Sequence, residues 1–550
     1  MKQHKQKKSK KPSNFQINSN GVFKVSLDGS RARISNYMEI TRIEHNIDTG
    51  EYRSEIEFDA FDIRKRALVS RKDYLQKKGL LDLQALGLDV TPTNAGTLIS
   101  FFREEEDQKI DTCMNVHNTL GYSLYSGKPI FKLHEAIGIN SKYVGPYQIS
   151  PEGSFQEYLQ MLKDEIKGNV ALETILAAST SSILLGYIGE SLNLDSTIIH
   201  LVGNSTTGKS TALKLAISVF GNPHSQSNSL YGTYNGTNNA LHHKLTGLNG
   251  VPYALDEISI SDTKNYTSFI YTTTNGSEKE RLTKDSVLMT KKTWRTTVFS
   301  NGERSLTGSA NKNAGIQVRV IEIKNMLWTK SAQNAENIQR TILKTHGHLG
   351  FSFASHIMKM DREELTRRYE GLRKKIFDKI SSTVRTDTFV ERRSAKYAMI
   401  LLAGELLKDI IGFELQTNQM ILFFADIEKE SMKYRNFKES VVDFIKDYIS
   451  LHLSQFSLGR NFMTGGLGRI VQKSKSVEVE MNKTAFKNIL DEGKFEDPEI
   501  VLKELKASKH LNCESDRYTR TRKNQFGYSE EVYVLILNDI NIDLNDKKIP

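Results

Sequence analysis

GNSTTGKS, residues Gly203–Ser210, matches the pattern G-x-x-x-x-G-K-[ST]. The apolar run Thr197–Val202 before it predicts a buried strand, and Ser210–Phe220 after it predicts a helix that ends at a glycine and a proline. A strand, a glycine-rich loop and a helix in this order direct backbone N–H groups and a helix N-terminus at one anion. The segment therefore predicts a site for a nucleoside triphosphate.

Nine consecutive residues are expected to contact this nucleotide. They are Gly203, Asn204, Ser205, Thr206, Thr207, Gly208, Lys209, Ser210 and Thr211. In this pattern Lys209 reaches the β- and γ-phosphates, and the Ser210 hydroxyl binds Mg²⁺. A guanine-reading Asn-Lys-x-Asp motif is not present, because the nearest candidate, Asn311–Ala314, fails at its last position. ATP with Mg²⁺ is therefore the expected ligand.

Three polar side chains follow apolar strands further along the chain. Asp256 and Glu257 end the run Val251–Leu255, and their distance from Lys209 fits a strand–helix–strand repeat. Hydrolysis needs one carboxylate near the metal, here Asp256, and one that polarises water, here Glu257. Asn301 follows a predicted strand over residues 294–299 and is expected to hydrogen-bond the water or the γ-phosphate.

Arginines supply a further set of candidates. Arg319 lies within the apolar run Gly315–Val320, which predicts a strand, and an arginine there must pair with a carboxylate or face a phosphate. An arginine finger that reaches the nucleotide of a neighbouring subunit is favoured over a local salt bridge. Arg392 and Arg393, at the start of a predicted helix, are lesser candidates for sensing the γ-phosphate.

Positive charge is concentrated in three stretches of a chain whose net charge is +11. There are six basic residues in each of the stretches 1–12, 279–295 and 506–523, and the summed net charge of the three stretches exceeds the net charge of the whole chain. Such patches indicate a polyanion partner, although any one of them could be a solvated charged face. Two cysteines 400 positions apart exclude a disulfide framework and fit a reducing cytoplasm. No signal peptide or membrane span is expected, since the longest apolar stretch, Ile175–Ile188, is short and carries Ser and Thr.

The chain is predicted to be a multidomain α/β protein. A disordered basic tail is expected over residues 1–20, and an α+β domain over 21–150. The ATPase core follows over 151–328, a helical lid region over 329–445, and a winged-helix domain over 446–550. Within 21–150, Asp48–Gly50 predicts a hairpin turn, and Ser154 with Glu157 forms a capping box that opens the next domain.

Two of the basic stretches are interpreted as DNA-binding elements. A hairpin before the third core strand carries Lys284, Lys291 and Lys292, which can bind phosphates of single-stranded DNA without reading bases. The C-terminal hairpin carries Arg517, Arg520, Arg522 and Lys523, placed as the wing that contacts duplex phosphates. A solvated loop and a protein-docking winged helix are the respective alternatives.

Several motifs together resemble the MCM-like AAA+ replicative helicases of staphylococcal cassette chromosomes and pathogenicity-island elements. They are LVGNSTTGKSTALKLAISVFGNP (Leu201–Pro223), PYALDEIS (Pro252–Ser259), YTTTNGSEKERL (Tyr271–Leu282), TTVFSNGE (Thr296–Glu303), AGIQVRVIEI (Ala314–Ile323) and ERRSAKYAMILLAGEL (Glu391–Leu406). The resemblance implies a homohexameric ring, ATP at subunit interfaces, a hairpin that translocates single-stranded DNA, and 3′ to 5′ unwinding. It also implies work on a bacterial mobile genetic element, in the nucleoid, with a replication initiator or loader as a possible partner. Ser277-Glu278 departs from the family, which more often has glycine before the lysine.

The favoured hypothesis is therefore an ATP-dependent DNA helicase. A DNA-bound ATP switch or remodelling ATPase without strand displacement is the main alternative, because it would share the same loop. A structural origin-binding protein with vestigial ATPase parts is a third possibility. A strand-displacement assay separates the first two, and ATP turnover separates both from the third.

Overall fold

The computed structural model describes residues 13–537 with some gaps. The residues outside the description within that range are 225–227, 262, 264, 281, 283–287, 290, 312–313, 384–387, 436, 459–465, 474–475, 494, 496–497 and 524–526, and the side chains at 314, 388, 433–435 and 437–440 are also outside it. The chain divides into two compact units, one up to Pro151 with Ala354–Lys359, and one comprising Glu152–Phe353 and Met360 onward.

The first unit is built mainly from antiparallel strands. Its strands are β1 (Phe15–Asn18), β2 (Gly21–Val25), β3 (Arg31–Ser35), β4 (Met38–Asn46), β5 (Tyr52–Ala60), β6 (Ile63–Ser70), β7 (Met114–His117), β8 (Leu120–Tyr125), β9 (Lys128–Lys132), β10 (Ala136–Ile137) and β11 (Ser141–Tyr143). Its helices are α1 (Arg71–Tyr74), α2 (Lys77–Asp82) and α3 (Ala95–Lys109), with 3₁₀ turns at Leu83–Leu86 and Ile110–Thr112. One sheet has the order β11-β7-β4-β5-β6, and α3 packs on its apolar face through Leu98, Phe101 and Phe102.

Two predictions for this unit have clear outcomes. The hairpin turn at Asp48–Gly50 is confirmed, because it joins the antiparallel strands β4 and β5. The disordered tail over residues 1–20 is wrong at its C-terminal end, since β1 pairs with β2 and Phe15 packs against Phe101. Residues 1–12 lie outside the described part of the chain.

The second unit contains a five-stranded parallel sheet with the order β13-β15-β16-β12-β17. Its strands are β12 (Thr197–Val202), β13 (Tyr231–Thr233), β15 (Tyr253–Asp256), β16 (Thr297–Gly302) and β17 (Val320–Lys324), and the two-residue β14 (Leu248–Asn249) lies between β13 and β15 in sequence. The surrounding helices are α4 (Phe155–Met161), α5 (Val170–Ile188), α6 (Lys209–Ser218), α7 (Asn238–Leu245), α8 (Thr267–Asn275) and α9 (Ala314–Arg319), with a π-helical turn at Leu162–Ile166 and a 3₁₀ turn at Ile258–Ile260. The predicted strand Thr197–Val202 is confirmed residue for residue.

Helix α5 is the core helix of this unit. It is long and apolar enough to cross a membrane by length and composition, but its apolar window is completely buried inside the protein. Three of the four hydroxyls that interrupt the apolar run donate to backbone carbonyls: Ser179 to Ala216, Thr180 to Leu176 and Ser181 to Ala178. The predicted Ser154 cap is also confirmed, because its side chain accepts from the Glu157 N–H at the start of α4.

The predicted helical region follows the sheet. It contains α10 (Ala332–Lys344), α11 (His348–Ile357), α12 (Arg362–Ser381), α13 (Thr388–Ile411) and α14 (Thr417–Arg435). Helix α13 packs along both α5 and α12, while α10 packs on α6. The sheet is thus supported on the α6 side by the helix that follows β17.

The C-terminal part has its own apolar core. It contains α15 (Phe437–Leu451), α16 (Lys483–Glu492) and α17 (Pro498–Ala507), with the strands β18 (Phe456–Leu458), β19 (Gly468–Gln472), β20 (Val477–Asn482), β21 (Arg520–Lys523) and β22 (Ser529–Leu537) in the order β18-β19-β20-β22-β21, and a 3₁₀ turn at Leu453–Gln455. A domain boundary between 445 and 446 is wrong, because it cuts α15, whose Val441, Ile445 and Ile449 all belong to this core. Helix α17 begins at Pro498, a residue type that suits the first turn of a helix because its missing N–H needs no partner there.

Candidate nucleotide-hydrolysis site

The phosphate loop, Gly203–Ser210, connects β12 to α6 as the sequence predicts. Gly208 has φ 89° and sits at the N-cap of α6. A Cβ at Gly208 would lie 2.8 Å from Thr329 Oγ1, so both the backbone conformation and the close approach require glycine. Thr206 is also left-handed, with φ 69°. The loop is therefore a built cradle rather than an ordinary turn.

Lys209 is directed back over this cradle. Its Nζ donates to the carbonyl oxygens of Gly203 at 2.7 Å and Asn204 at 2.6 Å, and the residue is only 6% exposed. These acceptors are neutral, so anionic phosphate oxygens placed in the loop would bind the ammonium more strongly. The position of Lys209 fits a triphosphate in the loop.

Three side chains from different elements meet at the carboxyl edge of the sheet. Ser210 Oγ donates to Asp256 Oδ1 at 3.0 Å, and Asn301 Nδ2 donates to the same oxygen at 2.6 Å. Asn301 Nδ2 also lies 3.3 Å from Ser210 Oγ. The sheet order explains the arrangement, because β16 lies between β12 and β15 and brings Asn301 between the other two.

The prediction for the Asn301 strand is shifted by three residues. The strand is Thr297–Gly302 rather than 294–299, so Asn301 is inside the strand and not in a turn after it. Its pairing with β12, with Leu201 opposite Asn301, extends the sheet up to the phosphate loop. The side chain is therefore held on a rigid element and is only 1% exposed.

Glu257 immediately follows β15 in a strained conformation. Its φ is 59° and its ψ is 83°, a region that costs a non-glycine residue about 1–3 kcal/mol. Its backbone N–H donates to Asn301 Oδ1 at 2.6 Å, and its carboxylate accepts from the Ser259 N–H at 3.2 Å. Strain of this kind persists where the surroundings fix it, which fits a residue kept for its chemistry.

A magnesium ion fits the donor set. Mg²⁺ is usually held by one or two protein oxygens together with substrate phosphates and water. Ser210 Oγ and Asp256 Oδ1 supply two such oxygens beside the phosphate loop. Elsewhere in the described residues, no group of three or more His, Cys, Asp or Glu side chains could hold a metal ion.

A cavity of about 790 Å³ opens over the loop. It is lined by residues of the loop, of the carboxylate turn and of the start of α10, namely Ser205, Thr206, Gly208, Lys209, Ser210, Thr211, Glu257, Leu327, Thr329, Lys330, Ser331, Ala332, Ala335, Glu336, Gln339 and Arg340. Its size is that of a small-molecule site. Only Leu327 presents a large exposed apolar side chain there.

Sequence reasoning missed three residues of this site. Glu303 Oε1 accepts from Ser205 Oγ at 2.6 Å, and Gln339 donates to Thr211 at 2.7 Å. The buried Tyr231 hydroxyl lies beside Asp256 and Ser210, and burial followed by the Asp256 charge raises the pKa of Tyr231. Glu303 could have been noticed two positions after Asn301, whereas a tyrosine on a neighbouring strand gives no sequence signal.

Arg319 is not on a strand as predicted. It is the last residue of α9, and β17 begins only at Val320. Because Val320 pairs with Ile198 and Lys324 pairs with Val202, Arg319 lies at the amino edge of the sheet, roughly 16 Å along β17 from the phosphate loop. It cannot reach the nucleotide of its own loop.

Arg319 has a weakly held guanidinium. Its Nη1 donates to the Gly315 carbonyl at 2.9 Å, and its Cζ lies 4.5 Å from the Tyr271 ring centroid. Among the described residues no carboxylate lies within 4.0 Å of it. Arg393, by contrast, is 1% exposed and lies 2.5 Å from Glu428, so it is a buried structural cation and cannot sense a phosphate.

The basic hairpin before β16 is partly described. Antiparallel bridges join Ser277 to Thr293 and Leu282 to Leu288, which confirms two arms. Lys291 and Lys292 are exposed, with Lys291 Nζ 3.9 Å from Glu280 Oε1 and Lys292 Nζ 3.2 Å from His243 Nε2. Lys284 lies outside the described residues.

The root of that hairpin is tightly fixed. Gly276 has φ 72°, and a Cβ there would lie 2.4 Å from the Trp294 carbonyl oxygen. Trp294 Nε1 donates to the Thr273 carbonyl at 2.8 Å, and Glu278, the unusual acid, accepts from Thr246 at 3.4 Å.

The predicted wing arginines lie in the C-terminal hairpin (β21 and β22 with their connection) or, for Arg517, just before it, and they bond to residues of the same domain. Arg517 Nε donates to Glu514 at 2.8 Å, and Arg520 donates to Glu514 at 3.2 Å and to Asn512 at 3.0 Å. Arg522 Nε donates to Glu480 at 2.8 Å. Lys523 is exposed, and no ion pair of Lys523 is found among the described residues. The sequence predicts all four residues on one hairpin, but β21 begins only at Arg520, so this is wrong for Arg517. The internal partners of the arginines come from distant positions and give no sequence signal.

Comparison with known protein families identifies the family of this chain. The family model described as "Domain of unknown function (DUF927)" matches residues 15–293, just over half of the chain. The chain belongs to the DUF927 family. A second model, described as "Cch helix turn helix domain", matches residues 437–540 of this DUF927 protein, and thus includes all of α15. No curated protein matches the chain.

Solved structures extend the comparison to the whole length of this DUF927 chain. The structure named "SCCmec type IV Cch - active helicase" superimposes with a TM-score of 0.76 at 21% identity, covering 96% of this chain and 98% of that chain. The two therefore share a multidomain α/β fold. The structure named "The A form apo structure of NrS-1 C terminal region-CTR(305-718)" covers 70% of this chain and 91% of that one at 11% identity, but its TM-score of 0.23 is too low to support any comparison.

Proposed function

We propose that this DUF927 protein is an ATP-dependent DNA helicase, a hexameric MCM-like AAA+ motor that replicates a mobile genetic element. The observation that carries the proposal is the meeting of Ser210, Asp256 and Asn301 beside Lys209, in a fold shared with a protein named as an active helicase. The sheet from β12 to β17 is the AAA+ core, and α10–α14 form its lid. The fold from α15 onward is the winged helix.

Hydrolysis at this site uses groups that are already in place. Mg²⁺ held by Ser210 and Asp256 would neutralise phosphate charge as the terminal phosphoryl group leaves. Lys209 binds the phosphates, and Glu257 accepts a hydrogen bond from the attacking water and so orients it. Asn301 holds both carboxylate residues, one through its side chain and the other through its backbone N–H.

Arg319 is proposed to complete the site of a neighbouring subunit. Its location at the amino edge of the sheet and its lack of a carboxylate partner among the described residues support this role. An arginine brought to the transferring phosphate in trans stabilises the charge that develops there. A ring, with ATP between subunits, follows from this arrangement.

DNA is proposed to bind at two places. Lys284, Lys291 and Lys292 would hold phosphates of a single strand and carry it as the hairpin moves, and Lys523 with the neighbouring arginines would contact duplex phosphates. The "Cch helix turn helix domain" match supports the second contact. A cytoplasmic, nucleoid-associated protein that works with a replication initiator or loader is the corresponding setting.

Strand displacement on a forked DNA substrate tests the proposal. The wild-type chain should displace the strand and hydrolyse ATP, while Lys209→Ala and Glu257→Gln should abolish both activities. Hydrolysis without displacement would instead identify a DNA-bound ATP switch or remodelling ATPase. A Lys209→Ala variant that retains activity would disprove the site assignment.

A further inference from the structure

Helix α13 holds the backbone that carries Arg319. Arg393 Nη1 donates to the carbonyl oxygens of Gln317 at 2.8 Å and Val320 at 3.0 Å. One turn later on α13, Lys396 Nζ donates to the Arg319 carbonyl oxygen at 3.2 Å. The end of α9 and the first residue of β17 are thus capped by two cations from one helix, which suits the negative end of a helix.

Arg393 is itself immobilised. Its Nε lies 2.5 Å from Glu428 Oε1 on α14, and its Nη2 donates to Tyr397 Oη at 2.9 Å. Tyr397 Oη donates in turn to Glu428 Oε1 at 2.6 Å, and all three residues are buried. A buried charge with an ion-pair partner and several hydrogen bonds rigidifies its surroundings, so Arg393 joins α14 and α13 to the end of α9.

Lys396 is placed differently. It lines a cavity of about 320 Å³ at the amino edge of the sheet, together with Asp195, Arg319, Arg373 and Arg392. Burial, followed by the charge of Arg393, lowers the pKa of Lys396 to about 7, with Asp195 opposing the shift. A lysine amine buried beside three arginines loses stability as a charged group, which is typical of a group retained for function.

The Arg319 guanidinium, in contrast, is held by little besides its own backbone. Its contacts in the described part of the chain are the Gly315 carbonyl of its own helix and the Tyr271 ring. Where the guanidinium points is therefore set by the orientation of α9 at its last turn. The carbonyl that Lys396 binds is the carbonyl of Arg319 itself.

We infer that Lys396 is a positioning residue for Arg319, so that the lid helix α13 sets where the arginine finger points. The inference rests on the proposed function, in which Arg319 acts on the ATP of a neighbouring subunit. Lys396 does not touch that nucleotide. It fixes the backbone from which the guanidinium extends, with Arg393 as the fixed support one turn earlier on the same helix.

Single variants give the first test. Lys396→Met should lower kcat for DNA-stimulated ATP hydrolysis by roughly ten- to a hundredfold, the size of effect expected from a small misplacement of a catalytic group. KM for ATP should change less than about twofold, because the phosphate loop is untouched. Lys396→Arg keeps a donor for the carbonyl and should restore much of kcat. The control is Lys408→Met, which removes an exposed lysine of the same helix paired with Glu414.

Mixed rings separate this inference from the proposed function. Lys209→Ala subunits have an intact Arg319, and Arg319→Ala subunits have an intact phosphate loop, so mixing the two inactive variants should restore activity at their shared interfaces. Adding Lys396→Met to the Lys209→Ala chain should abolish that recovery. Adding it to the Arg319→Ala chain should leave the recovery intact, because that chain has no finger to position.

The outcomes are distinct. No recovery from the two single variants, in rings shown by particle mass to be mixed, would overturn the shared interface and with it this inference. Recovery that Lys396→Met reduces equally in either chain would leave the shared interface standing and overturn the positioning role. A kcat that Lys396→Arg fails to restore, with folding shown intact by equilibrium ATP binding, would also contradict it.

Discussion

Asn301 Oδ1 accepts a 2.6 Å hydrogen bond from the backbone N–H of Glu257. The bond spans neighbouring strands and holds Glu257 at a φ of 59°, which it would not adopt without support. Because Asn301 Nδ2 donates to Asp256 at the same time, one amide fixes the relative positions of both carboxylates. Asn301 therefore links Asp256, proposed to bind the metal, to Glu257, proposed to orient the water.

Asn301→Ala should lower kcat for ATP hydrolysis by about a hundredfold or more, the usual effect of removing a preorganised active-site hydrogen bond. Steady-state ATPase assays with and without DNA measure the effect. The control is Asn265→Ala, which removes an exposed asparagine that bonds Asn311. Unchanged turnover in Asn301→Ala would show that Asp256 and Glu257 hold their positions without the amide.

Tyr231→Phe tests one of the three site residues that give no clear sequence signal or were overlooked. Because burial and Asp256 keep its phenol protonated, the hydroxyl can act only as a neutral polar group beside the metal-binding oxygens. Its loss should raise the Mg²⁺ concentration for half-maximal ATPase activity several-fold, as loss of an outer-shell partner does. Tyr528→Phe, at a site that is 72% exposed, is the control. An identical Mg²⁺ titration would assign Tyr231 to packing alone.

Much of the candidate site could be predicted from sequence because its signals are local. The phosphate loop is one contiguous motif, and Asp256-Glu257 follow an apolar run directly. The Asn301 strand was misplaced by three residues because Trp294 extends the apolar pattern, although its ring packs outside the strand against His242. Strand ends depend on pairing with β12, and pairing cannot be read from one strand alone.

The segment around Arg319 shows that a pattern of alternating apolar residues does not always predict a strand. The run Gly315–Val320 alternates like a strand, yet tertiary contacts fold five of its six residues into α9. Carbonyl capping by Arg393 and Lys396 stabilises that short helix from more than 70 positions away. A feature created by such distant partners leaves no mark in the local sequence.

Substitutions in the hairpin arms should separate strand displacement from ATP hydrolysis. Replacing Lys291 and Lys292 by Ala should reduce strand displacement. It should also reduce the salt dependence of single-strand binding, because each lost phosphate contact lowers the slope of log K against log salt concentration by about 0.7. Basal ATP hydrolysis should persist. Lys374→Ala with Lys379→Ala on α12 removes the same charge elsewhere and serves as control. Unwinding that is unaffected would assign the two lysines to a solvated surface.

Arg522 and Lys523 are neighbours in β21, but we expect substitution of the first to affect stability and substitution of the second to affect duplex binding. Arg522→Ala removes one of two arginines from Glu480, whose side chain is 3% exposed, and should destabilise the domain by about 1–3 kcal/mol. Lys523→Ala should instead weaken duplex binding and leave stability unchanged. Thermal melting and duplex titration of both variants measure this. Equal melting temperatures for Arg522→Ala and wild type would show that Arg469 alone satisfies Glu480.

Acid should destabilise the second unit through buried histidines. Burial lowers the pKa of His200, His242 and His346 below 6.5, so they are neutral in the folded state and bind protons more readily when unfolded. Stability from this source is present above pH 6.5 and is lost as the pH falls below it. The melting temperature should fall as the pH is lowered from about 7.5 to about 5.5, and it should fall less steeply with pH in the His200→Gln variant. An unaltered slope would place the acid sensitivity in other groups.

Helix α5 has a consequence for how the chain is made. Its side chains are buried on every face, with α13 as a major packing partner, and Thr388 is synthesised 200 residues after Ile188. At bacterial and other ribosomal rates this delay is on the order of ten to forty seconds. During that interval α5 lacks its main packing partner, and apolar segments exposed in this way are prone to aggregate and are the kind that chaperones bind.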